Sequence, residues 1–93
     1  MKITGVRCLL LSAPYATSGD AEREIHLKTG YRPASLIVVE TADGQYGLGE
    51  TYAGVFAPEA VRALVDQLGG DLVGKDAFAT LALWDRIRLS SYY

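Results

Sequence analysis

Residues 41–52 read TADGQYGLGETY, and this stretch decides the fold. Asp43-Gly44 is a strong signal for a tight turn between antiparallel strands, because glycine accepts the backbone conformations that such turns require. Gly47 and Gly49 then alternate along the next strand, where glycine gives up both packing and conformational entropy. We therefore expect something outside this domain to approach that backbone closely, with Glu50 placed where the strand ends.

Two further segments have the composition of strands. Residues 3–11 are rich in Val, Ile, Cys and Leu, and residues 34–41 are apolar and β-branched up to the Asp43-Gly44 turn. Together with residues 45–51 they predict a three-stranded antiparallel meander. An aromatic loop that contains a glycine, residues 52–56, follows the third strand at once.

Helical patterns occupy the remainder of the chain. Pro58 suits a first helical position, and apolar residues recur at three-and-four spacing until Gly69-Gly70, which we expect to end this helix. Asp76 has the chemistry of an N-cap for a second helix that runs towards Ser91. Its large side chains are expected in the core: Phe78, Leu81 and Trp84. Strands followed by helices predict an α+β fold.

The bulk composition excludes several classes of function. A chain of 93 residues makes one domain with a modest core, and a net charge of −2 offers no electrostatic footprint for nucleic acid or an anionic membrane. Cys8 is the single cysteine, so an internal disulfide is excluded and a reducing compartment is expected. Because no apolar run approaches the length of a membrane span, we expect a cytoplasmic domain.

The long polar stretch between the first two strands is the strongest candidate for a functional loop. Residues 14–33 show neither helical nor strand periodicity, and a structureless loop of this length is uncommon in a compact domain unless it is functional. We expect a flexible lid here. Tyr15 and Tyr31 bracket it, either as ligand contacts or as anchors that pin the loop to the sheet.

The charged residues of this lid allow two interpretations. His26 is either a solvated surface histidine or a ligand contact. The same alternative holds for Arg23, Lys28 and Arg32, which could instead close over an anionic or hydroxylated small molecule.

No complete catalytic or metal-binding pattern accompanies the lid. The acids are scattered and share one histidine, so no zinc or calcium spacing is present and we expect no metal site in this chain. Glycines 44–49 follow a turn and do not open a helix, as a phosphate loop would. Glu50 is either a hydrogen-bonded structural carboxylate or a group at the rim of a site, and Cys8 is expected to be a buried, inert thiol.

These motifs, taken in order, resemble the N-terminal capping domain of the enolase superfamily, of the mandelate racemase and muconate lactonizing enzyme type. The resemblance covers nearly the whole chain, residues 1–93, and departs from it mainly at Gly69-Gly70. The matching segments are MKIT at 1–4, VETADG at 39–44, GLGETY at 47–52, APEAV at 57–61 and LWDR at 83–86.

The resemblance implies an α+β domain that packs over the mouth of a barrel, which is absent from this chain and carries the bound Mg²⁺ and the catalytic bases. It implies that the protein removes the proton α to a carboxylate, with acid-sugar dehydration favoured and racemisation or cycloisomerisation as alternatives. No catalytic residue is assigned to this chain, and homo-oligomer formation is expected. The residues expected to contact a small carboxylate substrate come from two loops: Tyr15, His26 and Tyr31, then Tyr52, Val55 and Phe56.

A function of another class also fits the residues. The glycine-containing strand and the aromatic loop could bind a protein partner in a non-catalytic interaction module. The length of the encoded chain discriminates between this hypothesis and that of a cap, which requires a barrel.

Overall fold

The computed structural model describes residues 1–14 and 31–91 and shows an antiparallel sheet followed by two helices. The elements are β1 (Ile3–Pro14), β2 (Tyr31–Thr41), β3 (Tyr46–Glu50), α1 (Pro58–Gly69) and α2 (Thr80–Ser90). The strands lie in the order β1-β2-β3, each antiparallel to its neighbour. The predicted α+β class and the three-stranded meander are confirmed.

The hairpin between β2 and β3 forms at the predicted turn. Gly44 has a φ of +85°, a conformation that L side chains rarely adopt, and its N–H donates to the Thr41 carbonyl over 3.0 Å. The Thr41 hydroxyl donates to the Asp43 carboxylate and lies 3.1 Å from the Gln45 carbonyl oxygen. Local turn chemistry therefore fixes the register of this hairpin.

β1 and β2 are both longer than the sequence predicts. Their pairing continues past residues 11 and 34 to Pro14, which lies opposite Tyr31. The prediction ended at the prolines because proline cannot donate a ladder hydrogen bond. Pro33 is tolerated because β3 ends opposite Leu36, which leaves this part of β2 as an edge on that side.

The first helix and the 3₁₀ turns on either side of it cover one face of the sheet. Val6, Ser35 and Ile37 share this covered face. Val6 lies opposite Val39 on β2, and Ser35, Ile37 and Val39 are alternate residues of that strand, so their side chains point to the same side of the sheet. Gly69 lies against Val6, where a Cβ at position 69 would come within 2.9 Å of the Val6 Cβ. Gly69 therefore serves close packing, and the α-helix ends at Gly69-Gly70 as predicted, where the chain passes into a turn of 3₁₀ helix, Gly70–Leu72.

The most deeply buried apolar side chains come from four different elements: β1, β2, the 3₁₀ turn after β3 and α1. They are Ile3, Val38, Val55 and Val61. Cys8 is half-buried in β1. In the described part of the chain, no helix is long and apolar enough to cross a membrane.

The second helix departs from prediction in its start and in its packing. The Asp76 carboxylate accepts a hydrogen bond from the Phe78 N–H, but it closes a turn, and α2 begins only at Thr80. Phe78, Leu81 and Trp84 are 73%, 81% and 64% exposed, so the prediction that they belong to the core is wrong. Helical periodicity identifies a shared face, but it does not determine what covers that face.

Candidate functional site

Topology directs three strand ends towards one end of the sheet, and β3 stops opposite Leu36, five residues short of Tyr31. In an antiparallel meander, the end of β1, the start of β2 and the end of β3 point to the same end of the sheet. Pro14, Tyr31 and Glu50 are these three termini. We call this end of the sheet the loop end, because residues 15–30 and the turn after Glu50 both begin there.

An aromatic turn occupies the loop end after β3. Tyr52–Val55 forms a turn of 3₁₀ helix, in which the Gly54 N–H donates to the Thr51 carbonyl over 3.0 Å. The Ala57 N–H then donates to the Ala53 carbonyl over 2.8 Å and leads the chain into α1. We call residues 52–56 the aromatic turn.

Three of the predicted contact residues belong to this turn, and they face different surroundings. Tyr52 and Phe56 are 65% and 64% exposed, and their rings meet edge to face with centroids 5.9 Å apart. Val55 is 3% exposed. The turn therefore presents two rings to solvent while a valine packs in the core beneath them.

The turn rests directly on β2 through a contact that sequence reasoning missed. Gly54 is buried over Ser35, and a Cβ at position 54 would lie 2.5 Å from the Ser35 Cβ and Oγ. Ser35 is fully buried, and its hydroxyl has no hydrogen-bond partner among the described residues. The available signal was small: one serine within an apolar strand and one glycine within an aromatic loop.

Tyr31 lies on the same side of the sheet as the aromatic turn. Strand alternation places Tyr31, Pro33 and Ser35 on one face of β2, and the turn covers Ser35. Tyr31 is half-exposed. The exposed aromatic residues predicted from these two segments therefore share both the end and the face of the sheet.

The other residues considered for the site fall elsewhere. Arg32 and Glu50 belong to the opposite face by strand alternation, and Glu50 is exposed. Tyr15 and His26 lie outside the described residues, as do Arg23 and Lys28.

The glycines of β3 point to open space. Among the described residues, no atom lies within 4 Å of a Cβ built at Gly47 or Gly49. Both share the helix-covered face of the sheet, where a cleft beside Gly47 is lined by Val39, Phe78 and Leu83. The approach that the sequence predicted at this backbone does not come from the part of the chain that the structure describes.

The carboxyl groups whose pKa values are shifted, those of Asp43 and Asp76, lie at the opposite end of the sheet from the aromatic turn. The Thr41 hydroxyl donates to Asp43 and lowers the pKa of that carboxyl, and the Phe78 N–H lowers the pKa of Asp76 in the same way. Hydrogen bonds to the ionised form have this effect.

The described part of the loop end offers aromatic surface and tyrosine hydroxyls, which can contact and orient a ligand.

The described residues do not form a metal site. Across residues 1–14 and 31–91, no three His, Cys, Asp or Glu side chains come together as a metal ion would require. A magnesium ion would need ligands from outside this set.

Solved structures with the same fold span the whole chain. A member of the enolase superfamily from Polaromonas sp. JS666 matches 99% of it with a TM-score of 0.77 and 31% sequence identity. A provisionally assigned isomerase from Sinorhizobium meliloti, solved in an open loop conformation, matches 98% with a TM-score of 0.71 and 24% identity. No protein-family model and no curated protein matches the sequence.

These likenesses establish the class of the protein. The chain belongs to the enolase superfamily and has the fold of its N-terminal capping domain. It spans about a quarter of the solved chains that it matches, 24% of the first and 27% of the second.

Proposed function

We propose that residues 1–93 form the substrate-specificity cap of a longer, magnesium-dependent enzyme that removes the proton α to a carboxylate. Support comes from superfamily membership and from neighbours about four times as long as this chain. The proposed reaction is dehydration of an acid sugar, because the lid segment carries the polar and basic side chains that suit hydroxyls and a carboxylate. Racemisation and cycloisomerisation are the alternatives within the superfamily.

The observation that carries this proposal is the shared placement of Tyr31, Tyr52 and Phe56. All three are exposed, at one end and on one face of the sheet. Exposed aromatic rings on a rigid support exclude water from a bound ligand at a low entropic cost, and tyrosine adds a hydroxyl. Val55 anchors the turn from below, and Tyr15 and His26 complete the proposed contact set from the lid.

In this proposal the cap selects the substrate and leaves the chemistry to the remainder of the protein. The acid–base groups and the Mg²⁺ ligands belong to a barrel outside this chain, and none of the proposed contact residues transfers the proton. The cytoplasm as location and a homo-oligomeric assembly are part of the same proposal. The unpaired thiol of Cys8 is consistent with a reducing compartment.

The test uses the full-length protein with Mg²⁺ and a panel of acid sugars in D₂O. Proton NMR should show loss of the α-proton signal for at least one acid, and a keto acid should accumulate if the reaction is dehydration. Absence of α-proton exchange across aldonic, aldaric and uronic acids would contradict acid-sugar dehydration. Exchange that inverts the α-carbon without forming a keto acid would favour racemisation.

Variants of the aromatic turn test whether this domain contacts the substrate. Phe56→Ala should lower kcat/KM by about tenfold through loss of an aromatic contact. Tyr46→Ala is the matched control, because Tyr46 is equally exposed but lies where β3 begins, at the opposite end of the sheet. Equal effects of the two substitutions would argue against a ligand contact at Phe56.

A non-catalytic interaction module remains the candidate of another class. The open backbone at Gly47 and Gly49, on an exposed edge strand, is the observation that favours it. A reading frame that ended at residue 93 would support this alternative and remove the barrel that the cap requires.

A further inference from the structure

Ser35 is the most deeply buried polar side chain among the described residues, and the aromatic turn rests on it. It is 0% exposed, and Gly54 lies against its Cβ, its Oγ and its backbone nitrogen. Cross-strand pairing with Leu10 holds Ser35 in the sheet. Its hydroxyl has no partner among these residues, and a buried unpaired hydroxyl costs stability. Residues that depart from the most stable choice are expected where a protein has a functional requirement.

Backbone hydrogen bonds hold the aromatic turn together around Gly54. The N–H groups of Phe56 and Ala57 both donate to the Ala53 carbonyl, over 3.3 and 2.8 Å. Tyr52 and Phe56 lie two residues from Gly54, one on either side. A displacement of Gly54 is therefore transmitted to both exposed rings.

The distances at Gly54 determine how far the turn would move if this contact changed. A Cβ at position 54 would lie 2.5 Å from the Ser35 Cβ and Oγ, whereas atoms in favourable contact are about 3.5–4.0 Å apart. An added methyl group would therefore displace the turn from β2 by about 1 Å. A misplacement of about 1 Å in the groups that hold a substrate can cost about a hundredfold in rate.

We propose that Ser35 and Gly54 are positioning residues: their contact sets the distance of Tyr52 and Phe56 from β2 and thereby how tightly the protein holds its substrate. Neither residue touches the ligand in this arrangement, because both are buried beneath the rings. The inference rests on the proposed function in one respect, the role of these rings as substrate contacts. It adds that a buried pair of residues contributes to substrate selection.

The first test measures steady-state kinetics of the full-length protein with the acid sugar that shows α-proton exchange. Gly54→Ala should raise KM about tenfold and leave kcat within about twofold, because displaced rings weaken binding while the proton-transfer groups lie elsewhere. Ser35→Gly removes the Cβ and Oγ that the new methyl group meets, so adding it to Gly54→Ala should lower KM again by about threefold. A double variant whose KM equals or exceeds that of Gly54→Ala overturns the proposal.

Gly69→Ala is the control that separates positioning from loss of stability. Its Cβ would meet the Val6 Cβ at 2.9 Å, a similarly close contact, at the end of α1 that lies away from the aromatic turn. This variant should lower Tm as Gly54→Ala does, because both add a methyl group to a packed contact, but it should leave KM unchanged. Equal rises in KM in the two single variants overturn the proposal.

Crystal structures of the full-length protein distinguish failure of this inference from failure of the proposed function. In Gly54→Ala the Phe56 ring should be about 1 Å farther from β2 than in the wild type, and a displacement below about 0.5 Å overturns the inference. Absent α-proton exchange would contradict the proposed reaction, whereas the displacement of the ring requires no substrate. Should Gly54→Ala fail to fold, Ser35→Gly alone tests the same contact, because it adds no atom. The ring should then move towards β2, and a ring that keeps its wild-type position overturns the inference.

Discussion

Gly54 packs closely against the Cβ, Oγ and backbone nitrogen of Ser35, so the backbone of the aromatic turn lies directly on β2. A Cβ at position 54 would also come within 2.8 Å of the Ser35 backbone nitrogen, which cannot rotate away as a flexible side chain can. The position of Tyr52 and Phe56 above the sheet therefore requires glycine at position 54, because any other residue would bring a Cβ too close to β2.

We expect Gly54→Ala to destabilise the protein by about 2 kcal/mol, because the new methyl group must displace either the turn or the strand. Gly70→Ala is the control: its φ of −58° is helical and the space around it is open. That substitution should stabilise by about 0.5 kcal/mol through the unfolded state. Urea denaturation of both variants measures the difference, and effects of the same sign would contradict the close contact.

The unpaired hydroxyl of Ser35 gives a prediction of opposite sign. Ser35→Ala removes a buried polar group that has no partner among the described residues, so it should raise the free energy of unfolding by about 1 kcal/mol. Ser12→Ala, at an exposed position of β1, should leave it unchanged. A loss of stability in Ser35→Ala, measured by thermal denaturation, would show that the hydroxyl has a partner.

The contact of Gly69 with Val6 can be tested by a double-mutant cycle. Gly69→Ala should cost about 2 kcal/mol, because its Cβ would meet the Val6 side chain at 2.9 Å. Val6→Gly removes the Val6 Cβ and Cγ1 that the new methyl group would meet, so the cost of Gly69→Ala should be smaller in the Val6→Gly background than alone. Strict additivity of the two unfolding free energies would mean that the two residues do not touch.

The acid stability of the hairpin depends on Asp43. Because the folded pKa of Asp43 is lowered, its contribution is present above the ordinary value of 3.8 and is lost as the pH falls through the folded value. Thr41→Val removes the hydroxyl donor, so the pKa of Asp43 should rise towards 3.8. Carbon-detected NMR titration of the side-chain carboxyl measures this shift. Thr4→Val, at an exposed position of β1, is the control and should leave the titration of Asp43 in place.

Local rules were sufficient for the parts of the fold that depend on neighbouring residues. Asp43-Gly44 sets the hairpin because the turn requires a positive φ at glycine, and Pro58 opens α1 because a first-turn N–H is not needed there. These signals are independent of the remainder of the molecule.

The errors arose where distant partners decide the outcome. Ser12–Pro14 and Tyr31–Pro33 have loop composition, but each segment supplies the partner that makes the other a strand. The exposure of Trp84 depends on what lies beside α2, and no periodicity within the helix carries that information. The location of the site at the loop end was predictable from the order of the strands. The contact between Gly54 and Ser35 was not, because it joins residues that are distant in sequence.

The overhang of β1 and β2 beyond the end of β3 has a consequence for how such proteins diversify. Five residue pairs, from Leu10–Ser35 to Pro14–Tyr31, form a two-stranded ribbon whose register is set by its own cross-strand bonds. Segments inserted at the tip of such a ribbon change its closure entropy only slowly with length. Evolution can therefore exchange or lengthen residues 15–30 while the ribbon keeps its register.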